Sequence, residues 1–178
     1  MLFRSGVPEL QHRAKEAGII PIVGYEAYLA PGSRHDKVLA TNGEYAYHLT
    51  LLAMDEEGYY NLCALATIAD LEGFYYRPRI DMEVLRKHSN GIYCLSGCIA
   101  GLVPSLLERG DEPGAMAAAR EFAAIFPDRF AIEVQNHGLK PQLEILPGLV
   151  GISRKLSLPL VATNDAQYIN TEIGRAHV

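Results

Sequence analysis

The sequence has no long apolar run, few cysteines and no excess of positive charge. No apolar run reaches the roughly 18 residues of a membrane-spanning helix, and the first residues do not resemble a signal peptide. Three cysteines are an odd number without a secretory signal, which favours a reduced, cytoplasmic setting. A formal net charge of −5 argues against a broad DNA-binding face, because phosphate contacts need clustered lysine and arginine. We therefore expect a cytoplasmic protein with no membrane partner.

Length and composition are typical of one globular domain, with 178 residues of which 49% are hydrophobic. Apolar runs predict strands at 19–28, 45–53, 91–95, 130–134 and 158–162. Helical spacing predicts helices at 8–17, 55–70, 81–88, 100–109, 112–126 and 141–156. We expect Asp55 and Asp81 to be N-caps, and Pro147 to break or kink the last helix. This alternation predicts βαβ units around a parallel sheet or barrel, with the carboxyl ends of all strands at one face.

Both ends of the sequence resemble translated sequencing adapters. Residues 1–5 match one adapter and residues 172–178 match its partner at the other end of an insert. We expect both to be adapter-derived scars, which are left out of fold reasoning. Residues 6–171 are then expected to be an internal segment of something longer.

Four potential metal ligands lie on or just after strand-like runs. Glu26 and His48 lie within predicted strands, whereas Cys98 and Asp165 each follow the end of one. The carboxyl ends of strands line the pocket in α/β proteins, so these four side chains suggest one convergent site. Their oxygen, nitrogen and sulfur donors suit Zn²⁺ or Mn²⁺ better than Mg²⁺, which prefers oxygen alone.

Each of these residues also has a simpler interpretation. His48 and Cys98 could be satisfied core residues, Glu26 could pair with an arginine, and Asp165 could cap a turn. His137, a lesser candidate, fits a turn before a helix. On spacing alone the metal site stays one hypothesis among several, since no tight pair of ligands is present.

The loop Gly73–Arg79 has an unusual content, because three aromatic residues adjoin Arg77 and Arg79. These arginines could contact a phosphate or another domain. The alternative is a solvated loop in which they stack on the neighbouring tyrosines.

Six runs of the chain resemble, in the expected order, the PHP (polymerase and histidinol phosphatase) domain of bacterial DNA polymerase III alpha subunits. The runs are residues 20–28, 48–53, 56–62, 73–81, 95–98 and 162–165. The resemblance covers essentially all of residues 6–171 and implies a distorted (β/α)₇ barrel, incomplete here because the first βα units are missing. It also implies a multinuclear metal site at the carboxyl ends of the strands. Glu26, His48, Cys98 and Asp165 stand at positions that match family metal ligands.

The resemblance implies a segment of a replicative polymerase that extends a primer by templated nucleotidyl transfer, with Mg²⁺ held outside this segment. The implied partners are DNA, deoxynucleotides, a proofreading exonuclease subunit and the sliding clamp. Some family members are proposed to have a metal-dependent 3′–5′ exonuclease in the PHP domain, and in others the domain is structural. We assign no catalytic residue and no organic cofactor.

Two departures from the family pattern bear on activity. The opening His-x-His pair and a later Asp-His step would lie before Gly6, and the Asp-x-His motif reads Asp165-Ala166-Gln167, so that an amide replaces an imidazole. We therefore expect the isolated chain to bind Zn²⁺ or Mn²⁺ weakly and to cleave no DNA. The alternatives are a free-standing phosphatase of the same superfamily, resembling histidinol phosphatase, and a metal-free scaffold domain.

Overall fold

A computed structural model describes residues 3–40 and 43–164 as a mixed α/β fold. The helices within these ranges are α1 Phe3–Glu16, α2 Glu56–Leu71, α3 Met82–Lys87, α4 Leu102–Glu108, α5 Glu112–Ile125 and α6 Lys140–Leu156. The strands are β1 Gly24–Leu29, β2 Tyr47–Ala53, β3 Arg79–Ile80, β4 Ile92–Leu95, β5 Phe130–Val134 and β6 Leu160–Ala162. None of the helices described here is long and apolar enough to cross a membrane.

The six strands form one sheet in the order β3-β1-β2-β4-β5-β6. Strand β2 runs antiparallel to both of its neighbours, whereas the other neighbouring pairs are parallel. The prediction of an all-parallel sheet is therefore wrong for β2. The physical reason is the connection between β1 and β2, whose described residues contain no helix. A parallel pair needs a long crossover, which is usually helical.

The sheet does not close into a barrel within the described residues. Strands β3 and β6 are its two edges. The mixed α/β class is confirmed, and the sheet observed is an open one.

The two predicted N-caps are present and start their helices. The Asp55 side chain accepts a hydrogen bond from the backbone N–H of Gly58 at 2.8 Å, at the start of α2. The Asp81 side chain accepts one from the backbone N–H of Val84 at 3.1 Å, at the start of α3. Each cap satisfies a backbone donor that the first turn of a helix leaves unpaired.

The helices cover one face of the sheet and leave the other face for a cavity. Alternate side chains of β1 and β2, such as Leu29 and Leu49, are buried in a core shared with α2 and α5. The intervening side chains Glu26, His48 and Thr50 point to the opposite face, because side chains alternate along a strand.

Two local predictions are wrong. Residues 19–23 are not part of a strand, and Ile20 is 89% exposed, because no described element packs over this apolar run. Helix α6 is continuous through Pro147, so the predicted break does not occur, while the alternative of a kink stays a prediction. The packing of α6 against α4 and β5 outweighs the local cost of the proline.

Candidate metal centre

Strand pairing brings Glu26 and His48 together. In the antiparallel ladder Glu26 lies opposite Thr50 and His48 lies opposite Tyr28, so the two residues are diagonal neighbours on one face. The Nδ1 atom of His48 lies 3.0 Å from Oε1 of Glu26. The partner of Glu26 is therefore a histidine, and the alternative of an arginine partner is not what the structure shows.

The reversed direction of β2 brings His48 close to Cys98. Because β2 runs against β4, its first residues lie beside the carboxyl end of β4, from which Cys98 follows. Gly97 makes the approach sterically feasible: its φ is +85°, and a Cβ there would lie 2.4 Å from the His48 carbonyl oxygen. The Sγ atom of Cys98 lies 3.4 Å from Nδ1 of His48.

The donor atoms of Glu26, His48 and Cys98 all lie within 4.8 Å of one another. Ligands placed 2.0–2.3 Å from a tetrahedral zinc ion lie roughly 3.3–3.8 Å apart. The two separations to His48, 3.0 Å and 3.4 Å, are close to that spacing. One oxygen, one nitrogen and one sulfur donor can therefore serve as three ligands of a single borderline cation.

The two neighbours of His48 favour its protonated form. Contacts with Cys98 and Glu26 raise the pKa of His48 to about 10, although burial acts in the opposite direction. The hydrogen bond from His48 also lowers the pKa of Glu26 below its ordinary value. Because Nδ1 faces both partners, a cation bound among the three side chains would have to displace that proton.

Tyr28 fixes the orientation of the His48 ring. The two rings meet edge to face, with centroids 5.2 Å apart and planes at 89°. The backbone N–H of His48 donates to the Ala100 carbonyl at 3.0 Å, which ties β2 to the loop after Cys98. The candidate ligands are thus held by ordered neighbours on both sides.

A cavity of about 560 Å³ lies on this face of the sheet. Glu26 and Cys98 line it, and so does Glu133 of β5, which is only 5% exposed. The Glu133 carboxylate accepts hydrogen bonds from Thr163 Oγ1 at 2.5 Å, Gln135 Nε2 at 3.2 Å and Thr50 Oγ1 at 3.1 Å. We define the Glu133 network as these four residues.

Sequence reasoning missed Glu133. The sequence contained a signal that could have found it, because Glu133 is a carboxylate inside the otherwise apolar strand Phe130–Val134. The same pattern identified Glu26. Glu133 has no described cation as partner, and three neutral donors satisfy its two oxygens instead. Burial and the Glu133 charge together raise the pKa of Cys94, so this thiol is held in its neutral form.

The remaining candidates have separate outcomes. Asp165 and Gln167 lie outside the described residues, so the place of Asp165 in the centre stays a prediction. The His137 ring and backbone contact the Gln142 side chain at 3.2 Å and 2.9 Å, which fits the turn that the sequence predicts.

Arg79 is fully buried, and its guanidinium donates to backbone carbonyls that include those of Asp36 and Tyr45. The interpretation of Arg79 as a solvated loop residue is therefore wrong.

Comparison with known protein families identifies the family to which this chain belongs. The model of the PHP domain family matches residues 2–137, and the chain belongs to this family, which binds metals. Its six-stranded α/β sheet and its group of three donors are consistent with that membership.

Curated relatives of the chain are named DNA polymerase III subunit alpha. The relative from Thermus aquaticus is 46% identical over 173 residues, and that from Borreliella burgdorferi is 45% identical over 167 residues. A third, from Treponema pallidum, is 43% identical over 168 residues. These alignments cover 94–97% of this chain but only 14–15% of each relative. The chain therefore spans a small part of the length of the relatives it matches.

Proposed function

We propose that this chain is a segment of the PHP domain of a DNA polymerase III alpha subunit. The relatives that match nearly its whole length carry that name, and the family match covers most of the chain. In this proposal the parent protein performs templated DNA synthesis with Mg²⁺ bound outside this segment. Its partners are DNA, deoxynucleotides and further replicase subunits, including a proofreading exonuclease subunit and the sliding clamp.

We further propose that the open sheet belongs to a larger (β/α)₇ barrel. The Glu133 network supports this, because Glu133 on β5 reaches across β4 to Thr50 on β2. A contact across an intervening strand is favoured when the sheet curves towards the cavity face, as the wall of a barrel does. The edge strands β3 and β6 are where further strands would pair.

The centre formed by Glu26, His48 and Cys98 is proposed to hold Zn²⁺ or Mn²⁺. The single observation that carries the proposal is the convergence of three different donor atoms within 4.8 Å on the cavity face. A bound divalent cation would supply Lewis acidity, which activates water and offsets charge on phosphoryl oxygens. Glu26, His48 and Cys98 would bind the cation, and Tyr28 would hold the His48 ring in place.

The reaction class that this chemistry supports is phosphodiester hydrolysis, with Asp165 as a proposed fourth ligand. A metal-free scaffold is the second candidate, and the replacement of a family histidine by Gln167 is the observation in its favour. A free-standing phosphatase is not favoured, because the relatives are named as polymerase subunits.

Isothermal titration calorimetry of Zn²⁺ and Mn²⁺ into the reduced full chain tests the proposal. We expect weak binding that Glu26→Gln, His48→Gln and Cys98→Ser each reduce, with no cleavage of labelled DNA. His35→Gln is the matched control, since His35 is exposed and lies outside the centre. Binding that is unaffected by all three centre variants would contradict the metal proposal, and robust DNA cleavage would contradict the expected inactivity of this segment.

A further inference from the structure

Three tyrosines that do not line the cavity pack against one another. Tyr45 and Tyr76 are stacked with ring centroids 4.2 Å apart and planes at 21°, and Tyr75 meets both rings edge to face. We call these three residues the tyrosine platform. Tyr76 is 64% exposed and the other two tyrosines are partly buried, so Tyr76 is the ring of the platform that faces solvent.

Buried Arg79 holds the tyrosine platform in place from below. Its guanidinium carbon lies 4.9 Å from the centroid of the Tyr75 ring, and its Nη1 donates to the Tyr45 carbonyl. One fully buried side chain therefore supports two members of the platform that are distant in sequence. A surface fixed in this way loses little conformational freedom when a ligand binds.

Arg77 links the tyrosine platform to the candidate metal centre. Its guanidinium carbon lies 5.8 Å from the centroid of the Tyr28 ring, and that ring in turn contacts His48. Tyr28, and Pro78 directly after exposed Arg77, line the cavity. No described carboxylate forms an ion pair with Arg77, which leaves its charge available for a ligand.

We propose that the tyrosine platform and Arg77 bind single-stranded nucleic acid, with bases stacked on the tyrosines and a backbone phosphate on Arg77. Stacked aromatic side chains beside a cation are the combination that binds single strands without sequence preference. A duplex would bind less well, because its bases are already stacked on one another. This inference rests on the proposed phosphodiester chemistry, for which it identifies the surface that holds the strand.

The net charge of −5 restricts the proposed site to a short one. Each phosphate neutralised on a single strand contributes about −0.7 to the slope of log affinity against log salt. With Arg77 as its principal cation, the site should therefore show a slope near −1 or shallower. Stacking, which depends less on salt, then provides most of the affinity.

Fluorescence anisotropy of a short labelled oligothymidylate, with the full chain in EDTA, tests the inference. Tyr76→Asn removes the exposed ring at a residue whose φ is +58°, a conformation that asparagine tolerates, and should weaken binding about tenfold or more. Arg77→Gln should weaken binding and flatten the salt slope by about 0.7. Tyr60→Gln and Arg109→Gln, at exposed positions on helix α2 and after α4, are matched controls that should change binding less than about twofold.

Several results would overturn the inference. These are no binding by the unaltered chain, equal losses in the control variants, and equal binding to single and double strands. Self-association that Tyr76→Asn abolishes, without oligonucleotide binding, would identify the platform as a protein contact instead. Because EDTA removes any metal, this assay measures strand binding separately from metal binding, so failure of this inference is distinguishable from failure of the metal proposal.

Discussion

Replacing Glu133 by glutamine tests how strongly the Glu133 network stabilises the sheet. The change keeps the shape of the side chain but removes its charge and converts one acceptor oxygen into a donor. The amide oxygen can still accept from Thr163 and Gln135, while the amide nitrogen faces Thr50. Thr50 can rotate its hydroxyl and accept, so the contacts can survive in a weaker, neutral form.

The expected loss follows from the strength of the three hydrogen bonds. Bonds to a charged group contribute about 1.5–3 kcal/mol each and neutral bonds about 0.5–1.5, so Glu133→Gln should lose ~3 kcal/mol of hydrogen bonding. Removal of a buried charge offsets part of that loss, because its desolvation is no longer required. We therefore expect a net destabilisation of ~1–2 kcal/mol. Glu133→Leu leaves the donors without an acceptor and should cost ~3–5 kcal/mol.

Urea unfolding followed by circular dichroism measures both variants, and Thr50→Val completes a double-mutant cycle. Thr50→Val should cost less in the Glu133→Gln background than in the unaltered protein, because the two residues share a hydrogen bond. Glu144→Gln provides the control, since Glu144 is an exposed residue of α6 whose ion pair within residues 3–40 and 43–164 is with Lys140. A stabilising Glu133→Gln substitution, or fully additive effects in the cycle, would refute the network.

Two further predictions concern pH and backbone packing. The pKa of His48 lies above 6.5 in the folded protein, so this group stabilises the metal-free fold fully below pH 6.5, and that stability is lost as pH rises through about 10. Glu26 is 56% exposed, so the free energy of unfolding should fall by only ~1 kcal/mol over this pH range. In His48→Gln the free energy of unfolding should not show this dependence on pH. Gly58→Ala should destabilise by more than ~3 kcal/mol in thermal unfolding, because its Cβ would lie 1.9 Å from the Gly91 carbonyl oxygen. Gly151→Ala, with nothing within 4 Å of its Cβ, should instead stabilise helix α6 by ~0.5–1 kcal/mol.

The features that sequence predicted well are those determined by neighbouring residues. Asp55 and Asp81 cap their helices because an N-cap side chain bonds to a backbone only three residues away. The helical spacing after Asp55 predicted a helix that ends at residue 70, and α2 ends one residue later, at Leu71. Strand β5 coincides with the predicted range 130–134. These elements can be predicted without knowing which distant residues they contact.

The features that sequence missed depend on parts of the chain outside the element concerned. Nothing within residues 45–53 indicates that β2 runs against its neighbours, since a strand's own pattern is the same in both directions. That reversal is also why His48, at the start of its strand, meets Cys98 after the end of another. The exposure of Ile20 likewise depends on what packs over it, which hydrophobicity alone does not specify.

The measurement that tests the central claim most directly is a Co²⁺ titration of the reduced full chain, followed by absorption spectroscopy. If Glu26, His48 and Cys98 form one cation site, the spectrum should contain a thiolate-to-cobalt charge-transfer band. That band should disappear in Cys98→Ser, weaken in His48→Gln and persist in Cys63→Ser, since Cys63 lies on α2, outside the group of three donors. The absence of such a band, or its survival in Cys98→Ser, would contradict the account.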